Sequence, residues 1–415
     1  MHVPEGWKKA KLAEKLAVLK DGTHFSPQSK SGPFMYLTSK NIRFGRLDIE
    51  NVSYITEEEH QKIYKGSPVK YGDILLTKDG ANTGNAAINS LDFDFSLLSS
   101  VAFLRGKPGF LLNDYLLHLL LSTTGQSAIK SEMAGQAITR LTLQKIGGLI
   151  FLFPPINEQH KIAKILSTWD KAIEKLEALI AAKQKRKKAL MQQLLTGKKR
   201  FAGFGGEWKK VSLRKLGKCI RGVSYKPEQI LSIETDDSIR LLRSTNIQNR
   251  SLNDKELVII PSSLVNDSQV LKDGDLAVCM ANGSKSLVGK SAPFKIQESK
   301  YTVGAFCAVF RPNQDSNNEF IKFLFQSDVY SKELTILLSG SSINNLKGSD
   351  VEGIKFYIPY DKCEQQIIAS VLSAADTEIE NHQKQLAALK EQKKGLMQQL
   401  LTGKKRVTLS LGVSK

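Results

Sequence analysis

The ten-residue string MQQLLTGKKR occurs twice in this chain, at Met191–Arg200 and again at Met397–Arg406. The two copies are identical and lie about half of the 415-residue chain apart. A string of this length does not recur by chance, so it indicates an internal duplication. Each copy closes a long helical pattern that follows a polar, strand-rich stretch. The duplication therefore predicts two similar units, each made of a globular domain and a long helix.

Apolar residues recur at alternating intervals of four and three through both helical stretches, which is the heptad pattern of a coiled coil. The seam of the first helix comprises Ile162, Leu166, Trp169, Ile173, Leu176, Ile180, Lys183, Lys187, Leu190 and Leu194. The seam of the second comprises Ile368, Leu372, Ala375, Ile379, His382, Leu386, Leu389, Lys393, Leu396 and Leu400. A helix of about 40 residues is roughly 60 Å long, and a seam of that length needs a matching partner. We expect the two helices to pair in antiparallel orientation; the alternative is that each packs only onto its own domain.

The predicted ends of the helices carry their own signals. Gly197 and Gly403 stand where glycine favours the end of a helix, and basic residues follow, where the helix dipole is negative. Asp361 and Glu364 have the spacing of a capping box at the start of the second helix. These signals place the end of each helix within the repeated string and the start of the second helix near Asp361.

Two lysines, Lys187 and Lys393, occupy equivalent positions on the two seams. A cation on a seam weakens the core but fixes the register in which helices pair. The alternative is that both side chains reach solvent near a fraying helix end. The sequence leaves both interpretations open.

Each domain is predicted to belong to the α+β class. Strand-length runs bounded by turn residues include Phe34–Leu37, Val52–Ile55, Asp73–Thr77 and Leu149–Phe153. Leu111–Leu121 has the pattern of a buried helix, capped by Asn113 or Asp114. We divide the chain into a first domain (1–155), a first long helix (156–200), a second domain (201–360), a second long helix (361–406) and a tail (407–415). The predicted architecture is two α+β domains joined by two long antiparallel coiled-coil helices, with a pseudo-two-fold internal repeat.

The charge balance points to a polyanionic partner. The chain has 60 Lys and Arg against 41 Asp and Glu, a formal net charge of +19. Nucleic acid is the usual partner of so basic a protein, although a solvated basic surface is the alternative. Four cysteines without metal-ligand spacing indicate a reducing compartment. With neither a signal peptide nor a membrane-spanning run, we expect a cytoplasmic protein.

The sequence offers no catalytic constellation. There is no Walker A loop, and the six histidines are scattered; one of them, His118, lies in an apolar run typical of a protein core. Phe201–Gly205 fits a methyltransferase cofactor loop but follows a coiled helix instead of a buried strand. We therefore expect no catalytic residue and no metal site on this chain. A free-standing DNA methyltransferase or nuclease with a fused DNA-reading module is the alternative.

Polar, basic loops occur at equivalent places in the two halves. The pairs are Thr38–Arg46 with Arg243–Arg250, Thr77–Asn85 with Met280–Lys290, and Gly135–Gln144 with Gly340–Asp350. Such side chains read base edges and phosphates, although turns favour the same residue types. The candidate DNA-binding residues are Lys40, Asn41, Arg43, Lys78, Asn82, Thr83, Gln136, Thr139 and Arg140 in the first half. In the second half they are Arg243, Ser244, Asn246, Asn282, Ser284, Lys285, Ser342, Asn344, Asn345 and Lys347.

These features together resemble the specificity subunit of type I restriction–modification enzymes, over essentially the whole chain. The residues that carry the resemblance are the Pro-Pro-Ile-Asn-Glu-Gln string at 154–159, the doubled LMQQLLTGKKR and the linker over 200–208. Gly6-Trp7 at the start of the first half belongs with them. The second helix entry, at 359–365, keeps Glu-Gln but lacks the double proline.

The resemblance implies two target-recognition domains that read the two halves of an asymmetric site in double-stranded DNA. It implies that the helices act as a spacer between them and dock partner subunits. Those partners are modification subunits, two of them, which carry S-adenosylmethionine chemistry on adenine, and restriction subunits, which use ATP and Mg. The chain itself is then non-catalytic, carries no cofactor and has no membrane partner.

Overall fold

The computed structural model describes residues 3–29, 31–133, 140–295, 297–339 and 344–408. The chain divides into two compact units, the first made of residues 1–177 and 384–415 and the second of residues 178–383. Each unit therefore contains one domain and a segment of each long helix. Both domains mix helices and strands, so the predicted α+β class is confirmed.

The first unit begins with a domain of short strands and helices. Its strands are β1 (Lys8–Lys11), β2 (Leu16–Asp21), β3 (Phe34–Leu37), β4 (Ser53–Ile55), β5 (Ile74–Thr77), β6 (Ala86–Ile88), β7 (Ser96–Leu97), β8 (Val101–Gly106) and β9 (Ile150–Phe153). Its helices are α1 (Leu12–Lys15), α2 (Glu57–Gly66), α3 (Asn113–Leu121), α4 (Thr123–Met133), α5 (Leu143–Gly148) and the start of α6 (Ile156–Leu194). The strands form sheets of order β2-β8-β5-β6, β4-β3-β7 and β1-β9.

The second unit repeats this plan. Its strands are β10 (Trp208–Ser212), β11 (Gly217–Arg221), β12 (Ser238–Leu242), β13 (Ile247–Gln248), β14 (Ser251–Leu252), β15 (Val258–Pro261), β16 (Leu276–Cys279), β17 (Ser291–Pro293), β18 (Tyr301–Val303), β19 (Cys307–Pro312) and β20 (Lys355–Pro359). Its helices are α7 (Asn318–Phe325), α8 (Asp328–Ser339), α9 (Gly348–Gly353) and the start of α10 (Lys362–Leu401). The sheets have the order β11-β19-β16-β17, β15-β12-β18 and β10-β20, matching the first unit strand for strand; the hairpin β13-β14 is added.

The long helices α6 and α10 bury the predicted seams. Every seam position on both helices is buried or half-buried, from Ile162 to Leu194 and from Ile368 to Leu400. In the first unit the start of α6 and the end of α10 also contribute to the apolar core of the domain, through Leu166 and Met397 among others. In the first unit the long helices therefore pack against each other and also against the domain.

Within the first unit the two helices run antiparallel. Asp170 accepts a hydrogen bond from Lys393, and Glu177 Oε1 lies 2.6 Å from Lys390 Nζ. Residue numbers rise along α6 as they fall along α10, so the expected orientation is confirmed. Lys393 therefore forms an ion pair on the seam, which favours the register interpretation over free solvation.

The second unit shows the same orientation with its own residues. Lys187 donates to Asp376, and Lys183 Nζ lies 2.5 Å from Glu378 Oε1. Lys187 is only 7% exposed, and its ammonium lies 5.3 Å from the centre of the Phe323 ring. Burial lowers the pKa of Lys187, opposed by the hydrogen bond to Asp376. Each seam lysine is thus held by one aspartate of the opposite helix.

Two expectations about helix starts need correction. The predicted capping box fails because Glu364 does not cap: both of its oxygens bind Arg200 at 2.8 Å, while Asp361 alone accepts from the Cys363 amide at 2.8 Å. At α3 the N-cap position is Leu112, without a side-chain cap. The Asn113 side chain instead accepts a hydrogen bond from the amide of Gly106 at 2.8 Å. This bond ties the start of α3 to β8.

No helix in the part of the chain that the structure describes is long and apolar enough to span a bilayer.

Candidate nucleic-acid interface

In the first unit, the predicted loops meet at the ends of β3 and β5. The amide of Leu141 donates to Lys78 O at 2.9 Å, and Asp79 forms an isolated β-bridge with Arg140. Asn85 Nδ2 donates to Ile42 O at 3.3 Å, which joins the loop after β3 to the loop after β5. The structure thus brings three loops that are distant in sequence into one surface. Gln136 and Thr139 lie outside the described residues.

The second unit joins its loops by equivalent backbone contacts and by a side-chain contact of its own. The amide of Leu346 donates to Met280 O at 2.8 Å, and Ala281 forms a β-bridge with Asn345. Asn282 Nδ2 donates to Ser244 Oγ at 3.3 Å, which joins this pair to the loop after β12. Asn344 Nδ2 donates to Gly283 O at 3.1 Å. Ser342 lies outside the described residues.

The candidate residues differ in how available they are. Those with exposed side chains are Lys40, Arg43, Arg140, Ser284, Lys285, Asn345 and Lys347. Those that are half-buried are Asn82, Thr83, Arg243, Ser244, Asn282 and Asn344. Arg43 Nε binds Asp48 at 3.0 Å, and this hydrogen bond lowers the pKa of the Asp48 carboxyl. The exposed members reach solvent, although Arg43 and Arg140 are each paired with a carboxylate, the second with Asp79 at 3.4 Å.

Asn41 and Asn246 have a structural role that the sequence did not indicate. Both are buried, with 4% and 0% exposure. The Asn41 side chain accepts from the amide of Thr38 at 3.0 Å and donates to Asp48 O at 3.0 Å. Asn246 does the same with Arg243 at 2.8 Å and with a downstream carbonyl at 3.0 Å. We therefore reassign both asparagines from base contact to bracing of the loop from inside.

Lys78 is also reassigned. It is 2% exposed, and its ammonium lies 3.2 Å from Asp21 and 3.6 Å from Asp79. An ammonium enclosed in this way is unavailable to a phosphate, because leaving the carboxylates would strand buried charges. In the second unit the corresponding residue is Met280, so the ion pair is not part of the shared scaffold. Lys78 holds the loop after β5 in place.

One exposed aromatic, Phe306, was missed from the sequence. It is 71% exposed at the tip of a tight turn, in which the Cys307 amide donates to Gly304 O at 2.8 Å. The Phe306 carbonyl accepts from the amides of Met280 and Ala281 at 2.8 and 3.1 Å. The residue therefore stands rigidly among the loops of the second unit. In the sequence Phe306 lies within an apolar run that predicts a buried strand. It is exposed because the chain turns at this residue, just before β19 begins.

Its counterpart in the first unit is small and polar. The amide of Lys78 donates to Ser100 O at 2.9 Å, which is the bond that Met280 makes to Phe306. Ser100 is 9% exposed, and its hydroxyl accepts from the amide of Ser39 at 3.2 Å. The two surfaces therefore share a backbone and differ in shape. Neither contains a group of His, Cys, Asp or Glu suited to a metal ion among its described residues.

Comparison with known proteins places this architecture in a family. Residues 4–184 and 206–391 match the model described as "Type I restriction modification DNA specificity domain". The chain is 32% identical over 203 residues to the type I restriction enzyme StySPI specificity subunit of Salmonella potsdam, covering 49% of this chain and 43% of that protein. It is 24% identical over 428 residues to the type I restriction enzyme MjaVIII specificity subunit of Methanocaldococcus jannaschii, covering 98% and 95%.

A solved structure shares the fold. The crystal structure of the type I restriction–modification system S subunit from M. genitalium aligns with a TM-score of 0.60 and 16% identity, over 98% of each chain. The sequence match to the Salmonella relative spans less than half of that protein's length. The family model, in contrast, matches most of this chain in two copies. The protein belongs to the family of type I restriction–modification specificity subunits.

Proposed function

We propose that this chain reads DNA for a type I restriction–modification complex, and that each domain reads one half of a bipartite, asymmetric site. One observation carries the proposal. The same backbone hydrogen bond joins the loops in both units, from Leu141 to Lys78 and from Leu346 to Met280. Equal scaffolds that carry different side chains support two readers of different half-sites.

Both domains expose basic side chains on their loops. In the first domain Lys40, Arg43 and Arg140 offer donors for guanine edges or phosphates. In the second, Lys285 and Lys347 serve the same purpose, together with half-buried amides. The net charge of +19 favours association with DNA irrespective of sequence, so discrimination falls to the loop side chains.

Catalysis then belongs to partner chains. We propose that two modification subunits, with S-adenosylmethionine, methylate adenine, and that restriction subunits use ATP and Mg to translocate and cleave DNA. The long helices α6 and α10 offer their outward faces as docking surfaces for these partners. The complex acts on DNA in the cytoplasm.

The two-reader proposal is tested by substitution in one domain at a time. Methylated adenines are first mapped in a genome that carries the complete system, which gives both half-sites. Arg43→Ala and Lys285→Ala are then compared by fluorescence anisotropy on duplexes with one half-site scrambled. We expect Arg43→Ala to lose discrimination at one half-site only and Lys285→Ala at the other. Loss at the same half-site for both variants would overturn the proposal.

A separate assay addresses the alternative of a free-standing methyltransferase. The purified chain is incubated with duplex DNA and labelled S-adenosylmethionine, with and without modification subunits. We expect label in DNA only when those subunits are present. Labelling by the chain alone would contradict the assignment of catalysis to partners.

A further inference from the structure

A basic cleft lies beside the loops of the second unit. It has a volume of about 680 Å³ and is enclosed by the β13-β14 hairpin, the segment 285–291 and α8. Three cations line it, Arg250, Lys285 and Lys290, and its described lining residues include no Asp or Glu. No ion pair of these three cations is found within the described ranges. The lining of this cleft therefore carries three positive charges and no carboxylate, whereas Arg250 also lines a neighbouring cleft that contains Asp328 and Asp376.

The hairpin at its mouth places an arginine in an unfavourable conformation. Gln248 pairs with Ser251, so Asn249 and Arg250 form a two-residue turn in which both have positive φ, 49° and 63°. Turns of this type favour Asn followed by Gly, because a side chain at the second position is strained. Asn249 fits this preference and Arg250 does not. The guanidinium gains little in return within the protein, since its contact to Gln326 O is 3.5 Å long.

We propose that this cleft binds phosphodiester groups of the DNA backbone, with Arg250 as the principal contact. A strained residue at a position where glycine would fit is expected when the side chain of that residue binds a ligand. The Arg250 guanidinium and the Lys290 ammonium suit phosphate oxygens, while Lys285, in the same lining, belongs to the proposed reading loops. A contact of this kind fixes the register of a domain on the duplex without reading sequence. The inference rests on the proposed DNA-reading function.

Arg250→Gly in the full chain tests the proposal, because stability and binding should move in opposite directions. Relief of the strained φ should raise the Tm by about 2–4 °C. Loss of one phosphate contact should reduce the slope of log affinity against log salt by about 0.9, or about eightfold in affinity at 0.1 M salt. Affinity is measured by anisotropy on two 30-base-pair duplexes, one of scrambled sequence. The loss should be the same on both.

Two variants serve as controls. Arg250→Lys keeps the cation and should retain most of the salt slope. Arg214→Ala removes one exposed positive charge from a residue that does not line the cleft, and should leave the slope unchanged. Should Arg250→Gly fold poorly, Lys290→Gln provides the same slope measurement on an independent residue.

These measurements distinguish a failure of the proposed phosphate site from a failure of the proposed DNA-reading function. An Arg250→Gly chain with a higher Tm but wild-type affinity and slope would overturn the phosphate site and leave the DNA-reading function intact. A loss confined to one of the two duplexes would also overturn it, because it would indicate base contact. A wild-type chain that bound neither duplex would instead remove the proposed function itself.

Discussion

Arg406 binds both carboxylate oxygens of Glu158, with Nε–Oε1 at 2.7 Å and Nη2–Oε2 at 2.9 Å. Trp7 Nε1 donates to the same carboxylate at 3.1 Å. Arg406 is the last residue of the second copy of the repeated string, and the last residue of the first copy, Arg200, binds Glu364 in the same way. The last arginine of each copy therefore binds a glutamate in the first turn of the opposite helix.

Arg406→Ala should destabilise the first unit. Glu158 is 1% exposed, so the substitution leaves a nearly buried carboxylate without its cation. Because Arg406 is itself partly exposed, water replaces some of the lost interaction, and we expect a loss of about 1–3 kcal/mol in the free energy of unfolding. Chemical denaturation monitored by circular dichroism measures it. Arg406→Lys, which keeps the charge but not the two-pronged geometry, should lose less; an equal loss would argue against the paired geometry.

The stability of the first unit should fall in mild acid because of His118. This side chain is 2% exposed on α3, as expected for a core residue, and burial lowers its pKa to about 4. Asp170, 3.7 Å from Nδ1, opposes the shift, and Lys393 reinforces it. The unfolded chain then binds a proton more readily than the folded one between about pH 6.5 and 4. Stability is full above this window and declines by about 2–3 kcal/mol as pH falls through it.

The matched control comes from the second unit. Phe323 occupies in α7 the position of His118 in α3, since both helices begin at an asparagine, Asn318 and Asn113. His118→Phe should remove the titrating group while filling its space. The difference in Tm between pH 7.5 and 4.5 should be smaller for the variant than for the wild type. An unchanged difference would show that other groups carry the acid sensitivity.

Phe306→Ser should change recognition in the second domain alone. The substitution copies Ser100 of the first domain and removes an exposed aromatic that can contact a thymine methyl or a base step. We expect about a tenfold loss of affinity for the half-site of that domain, equal to about 1.4 kcal/mol. Anisotropy on duplexes with one half-site scrambled measures it. Equal loss on both half-sites, or a lowered Tm, would point to a general effect.

Asn41→Ala and Arg43→Ala should have opposite consequences, although they are two residues apart. Asn41 braces its loop from inside, so truncation should lower the free energy of unfolding by about 1–3 kcal/mol. Arg43 is exposed, so its loss should leave unfolding within about 0.5 kcal/mol and weaken DNA binding. Urea denaturation and anisotropy on the same two variants separate the roles. The reverse pattern would contradict the reassignment of Asn41.

The sequence predicted what depends on periodicity. Every position that the heptads identified on α6 and α10 is buried or half-buried, because burial along a helix seam follows the helical repeat. It did not distinguish Asn41 from Arg43, or Lys78 from Lys40, since polar loop residues look alike until the loops meet. Phe306 was missed for the converse reason, because an apolar residue next to a strand is usually buried. Side-chain direction in a loop depends on tertiary contacts that no local pattern records.

The division of the chain has a consequence for biosynthesis. The second unit, residues 178–383, is contiguous in sequence, whereas the first also requires residues 384–415, which supply Met397, Leu400 and Leu401 to its core. A ribosome therefore delivers all parts of the second unit before it delivers the last parts of the first. The domain that emerges first must wait, incompletely packed, until translation has passed Arg406. A premature stop codon after residue 383 would therefore destabilise the first domain. The second domain, although it lies nearer to the stop codon, would keep all of its residues.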